Sequence, residues 1–111
     1  MTVKLIALLT KRHDLSRSDF MAWYEENHVP TIIEVMPGIV EYKRNYLPES
    51  VKRVDVVTEI YFSDKSSYDA AMATAFVPSA LARIEHDQQM LFDPEGIHIT
   101  LVDERACSLS D

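Results

Sequence analysis

The sequence predicts one α+β domain of the ferredoxin-like type, with the element order β-α-β-β-α-β. Three observations carry this prediction. The 111 residues suffice for a single domain. Four segments have the composition and alternation of strands. Apolar residues recur at helical spacing after the first of these segments and again after the third.

The first strand is predicted at residues 3–10, where both faces are apolar, so we expect both to be covered. A polar loop leads to Ser16, which forms a pattern like a capping box with Asp19. The helix that begins there carries a stripe at helical spacing, made of Phe20, Trp23, Tyr24, Asn27 and His28.

The end of this helix is predicted at a proline. Pro30 disfavours helical geometry at Val29, so we expect the helix to kink or end there, with His28 turned inward. A second short turn, at residues 31–36, leads to a Pro-Gly pair that is a strong turn signal.

The second and third strands are predicted at residues 39–47 and 54–63, joined by a polar loop as a hairpin. A helix is predicted at residues 66–76, and a further helix from Pro78 to about residue 91. The last strand is predicted at residues 96–104.

These elements make a four-stranded antiparallel sheet with helices on one face. The domain is predicted to span residues 1–105, followed by a C-terminal tail at 106–111. The other face of the sheet also carries apolar residues, and no further element is left in the chain to cover it. A second copy of the same sheet is the simplest cover, so we predict a symmetric homodimer.

Composition argues against several classes of function. A net charge of −7 repels nucleic acid and anionic membranes, and the apolar stretches are too short to span a bilayer. The single cysteine, Cys107, cannot form an internal disulfide, which indicates a cytoplasmic protein. Metal-ligand spacing and nucleotide-binding fingerprints are both missing, so we expect no cofactor and no metal.

The segment DFMAWYEENHVPTI, followed by PGIVEYKRNYL, resembles the EthD family. The family pattern has aromatics, then a histidine and a proline separated by one residue, then Pro-Gly and a strand with tyrosine and asparagine. The matching residues here are Phe20, Trp23, Tyr24, His28, Pro30, Pro37, Gly38, Tyr42 and Asn45. Two later segments, VDVVTEIYFSD and HDQQMLFD, also match, through Asp55, Glu59, Phe62, Asp87 and Phe92.

The resemblance implies a dimeric α/β barrel with diverse activities. The family takes its name from an accessory protein of alkyl-ether degradation. Similar proteins are dehydratases, cyclases or lactone isomerases that act on small cyclic or polyketide-derived compounds, generally without a cofactor. Related barrels are small cofactor-independent monooxygenases. The fold alone does not decide among these functions.

His28 is the first candidate for acid–base chemistry, because it shares the apolar face of its helix with Tyr24 and an imidazole titrates near neutral pH. The alternative is a core histidine bonded to a backbone carbonyl, and the resemblance favours the catalytic role. Tyr42 could donate a proton to a substrate oxygen or simply pack on a helix. Asp87 could be a second acid–base group or a solvated helix residue.

The resemblance also nominates four substrate-binding residues: Trp23, Tyr24, Asn45 and Phe92. Asn45 and Tyr42 lie on opposite faces of a regular strand, so only a bulge would bring both into one pocket.

We therefore predict a cofactor-independent acid–base enzyme of the dehydratase, cyclase or isomerase type. Its substrate would be a small cyclic or polyketide-like compound in an apolar, water-poor pocket. The alternatives are an EthD-like accessory or binding protein of a degradation pathway and a small cofactor-independent monooxygenase. A cavity with His28 and another polar group at its wall favours an enzyme, whereas a fully bonded His28 in a packed core favours a binding protein.

Overall fold

The computed structural model of the protein describes residues 2–109 and has the predicted element order. It confirms the ferredoxin-like α+β class, with a four-stranded antiparallel sheet and helices on one face. The elements are β1 (Val3–Lys11), α1 (Arg17–Trp23), a π-helical segment (Tyr24–His28), α2 (Val29–Val35), β2 (Ile39–Tyr46), β3 (Val56–Phe62), α3 (Lys65–Ala75), α4 (Pro78–Leu91) and β4 (Phe92–Val102).

The strands lie in the order β2-β3-β1-β4, and every neighbouring pair is antiparallel. Because side chains alternate between the faces of a sheet, residues paired across the strands form rows on one side. Two such rows on the side of the helices are Tyr42, Ile60, Leu5 and Leu101, and beside them Arg44, Thr58, Ala7 and Ile99.

The opposite face of the sheet carries apolar residues, as predicted, together with charged ones. Lys4 Nζ lies 2.6 Å from Glu59 Oε1 and 2.7 Å from Glu104 Oε2. Apolar side chains remain in the middle of this face, among them the half-buried Ile6 and the exposed Leu8. No helix within residues 2–109 covers this side of the sheet.

The first helix does not end at Pro30, which was one of the two outcomes that we predicted, but its α-helical pattern is interrupted just before this residue. His28 is turned inward, as predicted, and is only 6% exposed. Helical backbone runs from Arg17 to Val35, because α1 continues through the π-helical segment into α2. The N–H of Val29 donates to the carbonyl of Tyr24, five residues earlier. Pro30 therefore follows a widened turn and occupies the first turn of α2, a position that tolerates proline.

Two local signals of the sequence are confirmed, and a strand boundary differs. The Asp19 N–H donates to the Ser16 hydroxyl at 3.1 Å, which caps α1. Gly38 has a φ of +97°, as a turn that favours glycine requires. The strand β4 begins at Phe92 rather than at residue 96, because Phe92 pairs with Lys11 beyond a register shift in β1.

The C-terminal end of the described chain has no regular structure. Residues 103–109 form neither helix nor strand, and residues 110 and 111 of the predicted tail lie outside the described residues. Within residues 2–109, no helix combines the length and the apolar character needed to cross a membrane.

Two apolar clusters fill the space between helices and sheet. One includes Leu5, Ile32 and Phe62 and lies beneath α2 and α3. The other includes Phe20 and Leu91 and lies beneath α1 and the end of α4. Residues of both clusters line a single cavity.

Candidate functional site

The cavity between helices and sheet has a volume of about 640 Å³. Small-molecule sites usually measure roughly 300–1,000 Å³. Its floor is formed by residues of the two rows that cross the sheet, and its roof by residues of the helices. Four of its polar lining residues are Tyr24, His28, Tyr42 and Thr58.

A buried hydrogen bond joins His28 to Asp87. The distance from His28 Nδ1 to Asp87 Oδ2 is 2.9 Å, and each residue is only 6% exposed. His28 ends the π-helical segment, and Asp87 lies on the inner face of α4. The carboxylate accepts the bond, so Nδ1 carries the proton and Nε2 holds a free lone pair.

The surroundings of His28 favour the neutral imidazole. Burial lowers the pKa of His28 below its ordinary value, and this effect outweighs the neighbouring Asp87 carboxylate, which raises it. Within residues 2–109, every fully buried side-chain nitrogen or oxygen has a hydrogen-bond partner. Nε2 of His28 has no partner among these residues, so it borders the open space of the cavity.

A group of hydroxyls lies beside this imidazole. The Tyr24 hydroxyl is 2.6 Å from the Thr58 hydroxyl, and the rings of Tyr24 and His28 meet edge to face at 5.1 Å. Burial raises the pKa of Tyr24. Burial and the neighbouring Tyr24 both raise the pKa of Tyr42. Both phenols therefore stay protonated at neutral pH and are able to donate hydrogen bonds.

An ion pair between Arg44 and Glu25 contacts Tyr42. The Arg44 guanidinium lies 5.1 Å from the centre of the Tyr42 ring, and its Nη1 donates to the Tyr42 carbonyl at 2.8 Å. Arg44 also donates two bonds to Glu25 of the π-helical segment, at 2.9 and 2.6 Å. This pairing fixes Tyr42 against the helix.

Three of the predicted site residues meet at the cavity together with Asp87. Tyr24, His28 and Tyr42 line it, and Asp87 reaches it through His28. The substrate-binding candidate Phe92 lines it too, with its ring 5.9 Å from that of His28.

Two substrate-binding candidates lie elsewhere. The strand is regular around Asn45, so this side chain faces away from the helices and donates to Glu59 Oε2 at 2.9 Å. Trp23 is half-buried against the second apolar cluster and does not line the cavity. Asn45 and Trp23 therefore drop out of the candidate site.

Sequence reasoning missed Thr58 and Arg44. Thr58 had a readable signal, because it is the polar residue on a face of β3 that otherwise carries Val56, Ile60 and Phe62. Arg44 had none, because its pairing with Glu25 depends on how closely the helix approaches β2.

A second cavity, of about 550 Å³, adjoins the first and shares Gln88 and Phe92 with it. It is more open, and Arg12, one of its charged lining residues, is bonded to Asp14 at 3.0 and 2.7 Å. Among the residues that the structure describes, no group of three His, Cys, Asp or Glu side chains could hold a metal ion.

Solved structures share this fold across nearly the whole chain. An EthD-family protein from Bacillus halodurans C-125 is 20% identical, with a TM-score of 0.69 over 95% of this chain and 100% of that one. SnoaB, a cofactor-independent oxygenase from Streptomyces nogalater, is 17% identical, with a TM-score of 0.62 over 96% and 95%. A dimeric ferredoxin-like protein of unknown function from Jannaschia sp. CCS1 is 15% identical, with a TM-score of 0.62 over 94% and 100%.

A comparison with curated protein sequences gives no significant match. The family model of the EthD domain matches residues 12–95, well over half of the chain. The matched range contains His28, Tyr42 and Asp87. The chain belongs to the EthD family.

Proposed function

We propose that the protein is a cofactor-independent acid–base enzyme in which His28, held by Asp87, removes a proton from a small molecule bound in the cavity. One observation carries this proposal: a neutral, buried imidazole has one nitrogen bonded to a carboxylate and the other bordering a cavity of about 640 Å³. This is the arrangement of a general base with an orienting partner.

Asp87 has two effects on His28 in this proposal. Its carboxylate accepts the Nδ1 proton and so holds the imidazole in the tautomer whose Nε2 is basic. When Nε2 takes up a proton, the pair becomes an imidazolium and a carboxylate whose opposite charges offset each other. Burial therefore opposes protonation of His28 less than it would oppose a lone imidazolium.

The hydroxyl groups would stabilise the negative charge that this proton transfer leaves on the substrate. Removing a proton next to a carbonyl, or from a hydroxyl, leaves negative charge on a substrate oxygen. The protonated hydroxyls of Tyr24 and Tyr42 lie on the same side of the cavity and would stabilise this charge by hydrogen bonding. Dehydration, cyclisation and isomerisation all use such a step, so each fits the site.

A second candidate function is oxygenation, and the shared fold with the oxygenase SnoaB favours it. The same base would convert an electron-rich phenol to its anion, which then reduces molecular oxygen. Oxygen uptake that depends on both substrate and His28 would identify this reaction. Tight binding with neither proton exchange nor oxygen uptake would instead indicate an accessory or binding protein.

We also propose that the protein forms a homodimer through the open face of its sheet. Two structural neighbours, from Jannaschia sp. CCS1 and Bacteroides fragilis, are dimeric proteins with a ferredoxin-like fold. In this chain, Ile6 and Leu8 would pack in the middle of the interface. Lys4, with its two carboxylate partners, would lie beside them.

The proton-transfer step is testable without knowledge of the natural substrate. Neutral phenols, β-diketones and lactones would be incubated with the protein in D₂O, and NMR would follow deuterium incorporation at carbon. We expect exchange that saturates with ligand concentration and is lost in His28→Gln. Exchange at the same rate in His28→Gln would contradict the role of His28.

A further inference from the structure

We propose that the cavity selects uncharged, elongated molecules, with an oxygen-bearing ring at its inner end and an apolar body that extends across the sheet to its mouth. This inference rests on the proposed function in that it names the substrate class of the same site. It is carried by the charge of the lining, by the positions of polar and apolar residues along the cavity, and by the exposure of its rim.

The lining offers no partner for a charged ligand. Among the described residues that border the cavity, none is lysine, arginine, aspartate or glutamate. Burial keeps His28 neutral, and it keeps Tyr24 and Tyr42 protonated. A carboxylate bound here would lose its hydration without gaining a cation, which is costly in free energy.

A cation and a carboxylate that contact lining residues both have partners. The guanidinium of Arg44 stacks on Tyr42 but is bonded twice to Glu25. The carboxylate of Asp87 is bonded to His28. A ligand ion would have to displace one of these buried or half-buried bonds. A neutral hydroxyl can instead donate to Nε2 of His28, and a ketone oxygen can accept from the Tyr42 hydroxyl.

Two hydroxyl groups of the cavity floor lie towards one side of the sheet. Tyr42 belongs to the edge strand β2 and Thr58 to the adjacent β3, whereas the same rows end on β4 in Leu101 and Ile99. Three strand intervals separate β2 from β4, a distance of about 14 Å at the usual strand spacing. The cavity floor is therefore long, with two hydroxyl side chains at the β2 side and Leu101 and Ile99 at the β4 side. Thr100, between these two, pairs with Ile6, so strand alternation places its side chain on the opposite face of the sheet.

The apolar side is also the open side. Phe76, at the end of α3, is 65% exposed, and Ile99 and Leu101 are 50% and 42% exposed, yet all three line the cavity. Large apolar side chains at a rim stay in water unless a ligand covers them. A molecule with an apolar body that reaches this rim would bury them.

The test is a calorimetric titration with matched pairs of ligands at pH 7.5. Each pair is a 4-alkylphenol and the 4-alkylbenzoate with the same chain, and the chains are propyl, pentyl and heptyl. We expect every phenol to bind at least about tenfold more tightly than its benzoate, because a buried carboxylate has no counter-ion. Each added methylene should tighten phenol binding by about fourfold.

Two variants test the mouth and the polar end of the cavity separately. Phe76→Ser should weaken the heptyl ligand more than the propyl ligand, whereas Ile33→Ser, a matched control at an exposed site that does not line the cavity, should change neither. Thr58→Val should weaken all phenols by a similar factor of about five and leave the chain-length trend intact.

The outcomes distinguish the substrate class from the proposed function. Benzoates that bind as tightly as phenols, or phenols that do not bind at millimolar concentration, would overturn the substrate class whatever the protein catalyses. Selective binding of phenols that survives in His28→Gln supports the substrate class. The same selectivity in a wild-type protein with no proton exchange would support it while refuting the enzyme proposal.

Discussion

The side chains of His28 and Asp87 are 59 positions apart in the sequence and meet at 2.9 Å inside the protein. Each group would be costly to bury alone, because neither could keep the hydrogen bonds that it makes in water. Together they satisfy each other and leave one basic nitrogen at the cavity wall. The predictions below test what this pair and its surroundings do.

Replacing His28 by Gln should lower turnover by about 10²–10⁴-fold, because a general acid or base contributes a factor of that size. Gln retains a polar group that can reach Asp87, so we expect the variant to fold. Turnover would be measured on a substrate identified by proton exchange, with circular dichroism as the control for folding. Full activity of this variant would exclude His28 as the base.

Replacing Asp87 by Asn should lower the rate and move the acid limb of the pH profile to lower pH. The Asp87 carboxylate raises the pKa of His28, so its loss lets burial depress that pKa further. In the wild type, activity should be full at neutral pH and fall only at a pH below the ordinary histidine pKa of about 6.5, because burial lowers the pKa of His28. An acid limb at the same pH in both proteins would show that His28 does not set it.

The stability of the fold should decrease as the pH falls below about 6.5, the pKa of a histidine in an unfolded chain. The pKa of His28 is lower in the folded protein, so the unfolded chain binds its proton first as pH falls. Urea denaturation between pH 5 and 7.5 would measure this effect. The stability difference between the wild type and His28→Gln should shrink towards pH 5, and a constant difference would contradict the prediction.

Replacing Tyr42 by Phe should reduce turnover by about tenfold, less than the loss of His28. The ring keeps its packing against Arg44, and only one hydrogen-bond donor to the substrate oxygen is removed. Tyr68→Phe is the matched control, because Tyr68 also lines the cavity but its ring contacts Phe62 rather than Arg44. Equal losses in the two variants would remove Tyr42 from the mechanism.

The homodimer should bury an interface of roughly 2,000 Å² or more in total, as obligate dimers do. Sedimentation equilibrium at micromolar concentration would then report a dimer. Leu8→Glu places a charge in the middle of the open sheet face and should give monomers, whereas Ile33→Glu on α2 should leave the dimer intact. A wild-type protein that sediments as a stable monomer would rule out this assembly.

Much of the fold could be predicted from the sequence because its signals are local. The hairpin of β2 and β3 follows from alternation and a polar loop, and the cap at Ser16 from its hydroxyl. Pro30 indicated where the helix becomes irregular but not whether it ends, because the effect of a proline depends on the turn before it. A π turn, which no local pattern announced, lets the helix continue to Val35.

Part of the candidate site was predictable as well, because some of its signals are also local. The spacing of Tyr24 and His28 on one helix face identified the inward histidine, and strand alternation showed that Asn45 faces away from Tyr42. Whether Asp87 was solvated or paired could not be read from its own helix, because the answer depends on how α4 packs against the π-helical segment.

The sequence by itself determined the class of fold, the order of the elements and the inward face of the first helix, because hydrophobic periodicity and turn chemistry act over a few residues. Only the tertiary structure decided that Asp87 is the partner of His28 and that Arg44 holds Tyr42. It also decided that no lysine, arginine, aspartate or glutamate among residues 2–109 lines the cavity. These features depend on distances between segments far apart in the chain, which are set by the packing of helices on a sheet rather than by any local pattern.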